Sequence, residues 1–162
     1  MSSAQAEKTD SRRERPEPSP EEKAVVAVIR CFAKAFATHD TDMFMSVWDQ
    51  EYGDRIVYQP EEIGTDVKGL DGVKAYFDHV PQVVRALRDV KTLEFRAELL
   101  EDNYALVHNR FWCRLALHKR PFVYDGQVRQ SFVLRKRDGE WKVLHYHESR
   151  QSPGFEEAVG SW

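Results

Sequence analysis

The sequence predicts an α+β fold in which helices pack on one face of an antiparallel sheet. Three segments between residues 19 and 80 place apolar side chains every three or four positions, which is the spacing of helices that bury one stripe. From residue 90 onward apolar and polar residues alternate, which is typical of strands. Because the helices come first and the strands follow in one series, we expect the helices to cover one face of the sheet.

The first helix has a clear start signal. Ser19 is a favourable N-cap residue, Pro20 suits the first helical position, and Glu22 completes a capping box. The dipeptide His39-Asp40 is expected to end this helix. Its buried stripe is predicted to contain Val25, Ile29, Phe32 and Phe36.

The remaining elements follow from capping residues and alternation. Asp40 is expected to cap a short second helix. A strand at about 55–59 is stopped by Pro60, and a third helix begins after Gly69 and is kinked or ended by Pro81. Four long strands are expected at about 90–100, 104–118, 121–136 and 140–150.

Length and composition narrow the functional classes. The 162 residues suit one domain, and the net charge of −3 gives no electrostatic basis for binding nucleic acid. No apolar run approaches the roughly 18 residues of a membrane helix, and the charged N-terminus lacks the apolar stretch of a signal peptide, so a cytoplasmic location is expected. Cys31 and Cys113 are expected to be reduced, buried thiols.

The composition also divides the chain. Residues 1–18 contain almost nothing apolar and are expected to form a disordered tail, because such a segment cannot offset the entropy lost on ordering. Residues 19–152 are expected to form the folded domain. Residues 153–162 are treated as a C-terminal extension.

Two turns predict the register of the last three strands. The Asp-Gly dipeptide at 138–139 is a hairpin signal that, in an unbroken ladder, places Phe132 opposite His145 and Gln130 opposite His147. It also pairs Leu134 with Val143, Val128 with Ser149 and Arg129 with Glu148.

A turn at 119–120 places Asn109 opposite Gln130 and Arg114 opposite Asp125. It also pairs Leu117 with Phe122, Leu115 with Tyr124 and Phe111 with Val128. An odd number of residues in the loop at 101–103 brings the preceding strand into the same pattern, with Leu93, Phe95, Ala97 and Leu99 on the apolar face.

One face of this sheet then combines polar side chains with an apolar surround. A mostly apolar cavity with a few convergent polar groups is the usual form of a small-molecule site. The polar members are predicted to be Asn109, Gln130, His145 and His147, with Ser149 and Tyr124 nearer the ends. The apolar members are Val107, Phe111, Phe132 and Leu134.

Three stretches resemble one known superfamily. They are the closing Gly-Glu-Trp-Lys-Val-Leu-His-Tyr-His-Glu-Ser at 139–149, the short helix that ends in Val-Trp-Asp at 47–49, and Gly69 before the third helix. Over roughly residues 20–150 the chain resembles the nuclear-transport-factor-two-like (NTF2-like) superfamily, in its SnoaL-like branch of polyketide cyclases and ketosteroid isomerase relatives. The resemblance implies a cone: a curved antiparallel sheet, mixed at its edge, with three N-terminal helices on its concave face, a hydrophobic cavity and usually a dimer.

The superfamily includes isomerases, dehydratases, cyclases and epoxide hydrolases, and also non-catalytic binding and assembly modules, so the fold alone does not give the function. In an ungapped comparison with ketosteroid isomerase, Phe32 stands where that enzyme has a tyrosine donor and Gln59 stands where it has an aspartate base. A steroid-isomerase mechanism is therefore not expected.

His147 is the first candidate for acid–base chemistry, because a histidine near its reference pKa exchanges protons at neutral pH. Asp49 is the second, either polarising His147 or acting as a base. A structural role, His147 as a buried hydrogen-bonded residue and Asp49 as a solvated helix end, is the alternative for each. The ligand is expected to be bound by Asn109, Gln130, His145, Tyr58, Tyr124, Trp48, Phe111 and Phe132.

No metal or cofactor is expected. His145 and His147 could provide two metal ligands, with Asp49 or Asn109 as a third, but no spacing motif supports such a site. Tyr58 and Tyr124 could donate to an enolate oxygen, or pack with only their tips in water.

The opposite face of the sheet mixes aromatic residues with arginine, a composition enriched at protein interfaces. We expect a homodimer through this face, with Trp112, Tyr146, Arg110 and Arg129 at the interface. Two functions remain open: a cofactor-free lyase, isomerase or cyclase acting on a small hydrophobic carbonyl or cyclic molecule, and a non-catalytic ligand-binding or dimerisation module.

Overall fold

The computed structural model describes residues 17–101, 103–119 and 123–150, with the side chains of Val123 and Tyr124 left out. The helices are α1 (Pro20–Thr38), α2 (Thr41–Ser46) and α3 (Gly69–Val83), with a 3₁₀ turn at Gly53–Arg55. The strands are β1 (Val57–Gln59), β2 (Val67–Lys68), β3 (Val84–Leu100), β4 (Tyr104–Leu117), β5 (Val123–Arg137) and β6 (Glu140–Arg150).

The start of α1 matches the capping prediction. The Ser19 side chain accepts a hydrogen bond from the Glu22 backbone N–H at 3.1 Å, and the Glu22 carboxylate accepts one from the Ser19 N–H at 2.6 Å. The helix ends at Thr38, where His39 adopts a left-handed conformation with φ of 55°. Asp40 then caps α2 by accepting a hydrogen bond from the Met43 N–H.

The six strands form one curved sheet in the order β2-β1-β6-β5-β4-β3. Neighbouring strands are antiparallel except that β1 runs parallel to β6, so the sheet is mixed at this edge. The three helices pack on its concave face, which confirms the predicted α+β cone. Pro81 lies two residues before the end of α3, and β3 starts at Val84, earlier than the predicted position near residue 90.

The register between β4 and β5 confirms the prediction. Asn109 pairs with Gln130 and Arg114 with Asp125, and the Arg114 guanidinium lies 3.3 Å from the Asp125 carboxylate. The Leu115–Tyr124 and Phe111–Val128 pairs are also present. The turn residues 120–122, and with them the Leu117–Phe122 pair, lie outside the described residues.

The loop between β3 and β4 has the predicted odd length, since Leu100 pairs with Tyr104 across residues 101–103. Phe95 and Ala97 pack against the core, as expected from this register. Leu93 is the extra residue of an irregularity between Thr92 and Glu94. Its side chain is 40% exposed, and that of Leu99 is 36% exposed.

The predicted register between β5 and β6 is wrong beyond Val143. The pairing runs from Leu134–Val143 to Val133–His145, so Leu144 is an extra residue that has no partner on β5. Such a bulge shifts the inward and outward alternation of the strand by one position. Tyr146, Glu148 and Arg150, not the histidines, therefore share a face with Val143.

All pairs predicted after the bulge move by one residue for the same reason. The observed pairs are Phe132 with Tyr146, Gln130 with Glu148, Arg129 with Ser149 and Val128 with Arg150. The turn itself is as predicted, because Asp138 and Gly139 both have positive φ angles, as the type I′ hairpin requires.

The core is built around Phe32 of α1. Its ring centroid lies 5.1 Å from those of Phe44 and Phe132 and 5.2 Å from that of Tyr146. Aromatic pairs at these distances stabilise a core by about 0.5–1.5 kcal/mol each beyond the area they bury. The cluster joins α1 and α2 to the middle of the sheet.

The predicted tail at 1–18 lies outside the described residues except for its last two positions, and so does the extension at 153–162. Within the part of the chain that the structure describes, no helix has the length and apolar character needed to cross a membrane.

Candidate ligand cavity

A cavity of about 970 Å³ lies between α1 and the concave face of the sheet. Its size is that of a small-molecule site. Most of its wall is apolar, and its acidic groups gather where β1 and β6 meet. The apolar wall includes Val26, Ile29, Phe36, Leu87, Phe95, Phe111, Leu115 and Val128.

A row of hydrogen bonds crosses the floor of the cavity from β4 to β6. The Asn109 side-chain amide donates to Gln130 Oε1 at 3.0 Å. Gln130 Nε2 donates to the Tyr146 hydroxyl at 2.9 Å and to Glu148 Oε2 at 3.3 Å. The Tyr146 hydroxyl also hydrogen-bonds Glu148 Oε2. Every donor in the row points toward Glu148, which is therefore the acceptor at its end.

Tyr58 of β1 lies beside this row. Its ring stacks on that of Tyr146, with centroids 4.7 Å apart and planes 13° from parallel, because the two residues are partners across parallel strands. The side chain is only 2% exposed and lines the cavity. Within the described ranges no residue forms a hydrogen bond with the Tyr58 hydroxyl. Burial, together with the charges of Glu148 and Glu62, raises the pKa of Tyr58 well above its usual value.

Three carboxylates converge at the same place. Pro60 ends β1, and the next two residues, Glu61 and Glu62, bring their side chains to Glu148. One carboxylate oxygen from each lies within 4.8 Å of the others. Among the described residues, this is the single group of three carboxylates, histidines or thiols that could hold a metal ion. Two further contacts hold it in place: Tyr76 of α3 hydrogen-bonds Glu62, and Arg150 pairs with Glu61.

We call the cluster of Glu61, Glu62 and Glu148, with Arg150, the acidic pole of the cavity. Burial shifts the pKa values of its ionisable groups. Removal of water raises the pKa of Glu148, and its hydrogen bonds from Tyr146 and Gln130 only partly offset this effect. The pKa of Glu62 is raised by loss of water at the cavity wall and by the charge of Glu148. Burial lowers the pKa of Arg150 to about 10. The pole therefore holds carboxyl groups that take up protons more readily than exposed ones.

Several residues predicted to bind a ligand do line the cavity: Asn109, Gln130, Tyr58 and Phe111. Two others, Trp48 and Phe132, are fully buried in the core. Both contact the ring of Phe32 instead. The side chain of Tyr124 lies outside the described residues.

The predicted placement of the two histidines is wrong. The bulge at Leu144 turns His145 and His147 to the convex face, and neither lines the cavity. His147 is exposed and borders a separate hollow with Asp66 and Ser149. Burial, followed by the charge of His147, lowers the pKa of His145. Neither predicted third ligand joins the histidines, since Asn109 lines the cavity and Asp49 binds Arg135.

Asp49 occupies a structural position outside the cavity. It is 3% exposed, and its Oδ2 accepts hydrogen bonds from Arg135 Nε at 3.0 Å and Nη2 at 2.7 Å. Its Oδ1 accepts from the backbone N–H groups of Glu51 and Tyr52. Both oxygens are therefore engaged in holding the turn after α2 to β5. Asp49 is neither a solvated helix end nor a partner of His147.

The predicted interface residues are divided between the two faces. Trp112, Arg110 and Arg129 lie on the convex face, because their neighbours along the strands line the cavity. Tyr146 is 1% exposed and faces the cavity, so its assignment to the interface is wrong. Arg110 and Arg129 are partners across β4 and β5, and Glu94 of the same chain pairs with Arg110 at 3.3 Å.

The carboxylate cluster of Glu61, Glu62 and Glu148 was not predicted. For Glu148 and Arg150 the sequence contains a signal: Leu144 and Tyr146, which alternation places on the outer face, are apolar, and this is the pattern of a strand that changes face partway. For Glu61, Glu62 and Tyr76 there was none, because residues in a loop and on a helix meet a strand only through the tertiary fold.

The family model of the calcium/calmodulin-dependent protein kinase II association domain matches residues 21–152. This chain belongs to that family. The family is part of the NTF2-like superfamily, which confirms the resemblance at that level. A curated relative, the alpha chain of calcium/calmodulin-dependent protein kinase type II from Drosophila melanogaster, is 24% identical over 127 residues. The match covers 77% of this chain and 23% of that protein, so the chain spans about a quarter of the relative's length.

Solved structures show the same fold. A protein from Xanthomonas campestris described as an association domain of this kinase has a TM-score of 0.67 at 20% identity, covering 84% of this chain and 91% of its own. A ketosteroid isomerase-like protein from Erwinia carotovora atroseptica has a TM-score of 0.71 at 19% identity, covering 84% and 100%. A hexachlorocyclohexane dehydrochlorinase has 0.70 at 14% identity, covering 82% and 86%. Since relatives described as association domains and as enzymes share this architecture, function has to be argued from the site.

Proposed function

We propose that this association-domain family member binds a small, mostly apolar molecule in its cone cavity. The observation that carries the proposal is the Tyr58 hydroxyl, which lines the cavity while 98% of the residue surface is buried and which has no protein partner among the described residues. The hydroxyl is not one of the fully enclosed polar atoms that lack a hydrogen bond, so it is open to the cavity. A ligand that accepts or donates a hydrogen bond can reach it there.

The way in which the polar residues are held supports a site open to ligand. If Asn109 and Gln130 had only a structural role, we would expect hydrogen bonds from them to the helices. Instead they bond to each other and to Tyr146 and Glu148 across the sheet, and they stay on the cavity wall. Hydrogen bonds along the sheet therefore hold these side chains in place while they line the cavity.

The same groups suit proton transfer. A cofactor-free isomerase or lyase would use Glu148 as the proton carrier in place of His147, because a carboxyl group with a raised pKa exchanges protons closer to neutral pH. Tyr58 would donate to an oxygen of the substrate. The SnoaL-like cyclase assignment has no such support from individual residues and stays a prediction from the resemblance.

A matched pair of variants tests ligand binding. Ala33 and Ala27 are both exposed on α1, but only Ala33 lines the cavity. We expect the neutral fluorescent probe N-phenyl-1-naphthylamine to bind the wild-type protein with increased emission. Ala33→Trp places a large side chain at the cavity wall and should weaken binding by about tenfold or more, equal to about 1.4 kcal/mol.

Ala27→Trp is the control and should bind the probe like the wild type. Fluorescence titration measures the affinity, and thermal unfolding confirms that both variants are folded. Absence of probe binding to the wild type, or equal binding by the two variants, would contradict a ligand site in the cavity.

The convex face favours a second function, association with another copy. Beside the half-buried Trp112 it exposes several large apolar residues, and a group of such residues on one sheet face is typical of an interface. Those that the register places on this face are Leu100, Tyr104 and Leu106. The description of the family as an association domain points the same way.

This second function predicts an oligomer in solution. Trp112→Glu should reduce the molar mass measured by light scattering to that of the monomer, because it would place a charge in a desolvated interface. Trp112→Phe, which keeps an aromatic side chain, should leave the mass unchanged. A wild-type monomer at micromolar concentration, or an oligomer that survives Trp112→Glu, would refute the interface.

A further inference from the structure

The acidic pole of the cavity has more negative than positive charge. Glu61, Glu62 and Glu148 face one another within 4.8 Å, and the single cation that pairs with any of them in the described residues is Arg150. Like charges at such distances repel, and the low-dielectric surroundings strengthen the repulsion. A positive charge on a ligand would relieve it.

The acidic pole also has more hydrogen-bond acceptors than donors. Both hydrogen bonds to Glu148 reach Oε2, and Oε1 accepts none from the described residues. The second carboxylate oxygen of Glu61, Oε2, is buried without a hydrogen-bond partner in the described residues. The Tyr58 hydroxyl lies beside them and is 98% buried with its residue. The pole therefore presents an excess of acceptor oxygens.

We infer that the cavity takes a primary amine in its protonated form, with the ammonium group seated among Glu61, Glu148 and the Tyr58 hydroxyl and an apolar body in the rest of the cavity. This inference rests on the proposed function and specifies its ligand class. A primary ammonium has three N–H donors, which matches the number of these acceptors.

The aromatic surroundings favour an organic cation over a metal ion. The stacked rings of Tyr58 and Tyr146, with Phe32 at 5.2 Å from Tyr146, form an aromatic wall beside the carboxylates. Because these rings cover one another's faces, the wall offers apolar contact to the organic part of a ligand. A calcium ion would need six to eight oxygen ligands, whereas Tyr76 and Arg150 already occupy one oxygen each of Glu62 and Glu61.

The cations on the opposite wall do not neutralise the pole. Lys23, Arg30 and Lys34 of α1 line the cavity, but their side chains are exposed and none of them pairs with the three carboxylates in the described residues. Because their side chains are exposed to solvent, salt and water screen their charges. A ligand that carries an acidic group at its far end could reach them.

Competition against N-phenyl-1-naphthylamine tests the inference. The competitors are benzylamine, benzyl alcohol and benzoate, which share one apolar ring and differ in charge. At about pH 8, where benzylamine is still largely protonated, we expect it to displace the probe at least about tenfold better than the alcohol, and benzoate to be the weakest. Adding millimolar manganese(II) chloride should leave the displacement of the probe by benzylamine unchanged.

Two variants locate the effect. Glu148→Gln keeps an acceptor for Tyr146 and Gln130 but removes the charge, so it should abolish the preference for benzylamine over benzyl alcohol. Glu62→Gln changes a more exposed position and should reduce this preference. It is the second variant in case the first is unstable. Glu98→Gln removes an equivalent charge from the exposed surface of β3 and should change nothing.

The outcomes are distinct. If benzyl alcohol competes as well as benzylamine, or if manganese displaces the amine, the amine inference is wrong while the cavity remains a binding site. If the probe itself does not bind to the wild type, the proposed function fails first. If Glu98→Gln weakens benzylamine as much as Glu148→Gln does, the charge effect is nonspecific and the inference also fails.

Discussion

Replacing Tyr146 with alanine is expected to lower the free energy of unfolding by about 3–5 kcal/mol, whereas His147→Ala is expected to change it by less than about 0.5 kcal/mol. The two residues are adjacent, so the contrast tests which of them faces the interior. Tyr146 is 1% exposed and contacts Phe32, Tyr58 and Phe132. His147 is exposed.

The large effect has two parts. Truncation at Tyr146 leaves a cavity among the aromatic rings, which the surrounding core cannot fully close. It also removes the hydroxyl that accepts from Gln130 and donates to Glu148, so both lose a partner. Tyr146→Phe keeps the packing and removes only the hydroxyl, and should cost about 1–3 kcal/mol.

Urea unfolding of the three variants provides the measurement. The ladder without a bulge, which the sequence favours, predicts the reverse order, with His147→Ala the more costly and Tyr146→Ala almost neutral. A larger loss for His147→Ala would therefore exclude the bulge at Leu144 and return the histidines to the cavity.

Replacing Asp49 with alanine is expected to destabilise the protein by about 3–5 kcal/mol without changing the affinity of the folded protein for a cavity ligand. The substitution leaves the Arg135 guanidinium, whose side chain is 21% exposed, without its carboxylate. It also removes the acceptor for the backbone N–H groups of Glu51 and Tyr52. Removing one partner of a buried pair is costly, because the remaining charge stays partly desolvated.

Asp42→Ala is the matched control. Asp42 is exposed in the first turn of α2, where loss of its favourable interaction with the helix dipole should cost about 0.3–1 kcal/mol. Thermal unfolding and probe titration on both variants separate stability from binding. If Asp49→Ala keeps its stability and loses ligand binding or turnover, Asp49 is a functional residue and the structural assignment is wrong.

The local features of the fold were predictable from the sequence because each depends on neighbouring residues. Ser19, Pro20 and Glu22 cap α1 through bonds within one turn, and the Asp-Gly dipeptide at 138–139 adopts the positive φ angles that its hairpin needs. The β4–β5 register followed from side-chain pairing across a turn, with Arg114 opposite Asp125 as one of its pairs. Asn109 and Gln130 were placed in the cavity on this basis alone.

Only the tertiary structure decided what faces Asn109 and Gln130 from β6. An alternating pattern cannot show an extra residue, and in this strand both faces carry apolar side chains, so Leu144 could be read as part of a regular ladder. In the fold, Trp48, which follows α2, forms a backbone bridge with Val143 just before the bulge. After the bulge, β1 runs parallel to β6, and Tyr58 stacks on Tyr146.

The acidic pole depends on the tertiary structure still more. Glu61 and Glu62 come from a loop, Tyr76 from a helix and Glu148 from the last strand, and no spacing in the chain relates them. The sequence by itself therefore determined the helices, the strands and one half of the cavity wall, because those features arise from local bonds and alternation. The other half, with the charges that select a ligand, required the packing of distant segments, since burial and repulsion among those groups exist only once they are brought together.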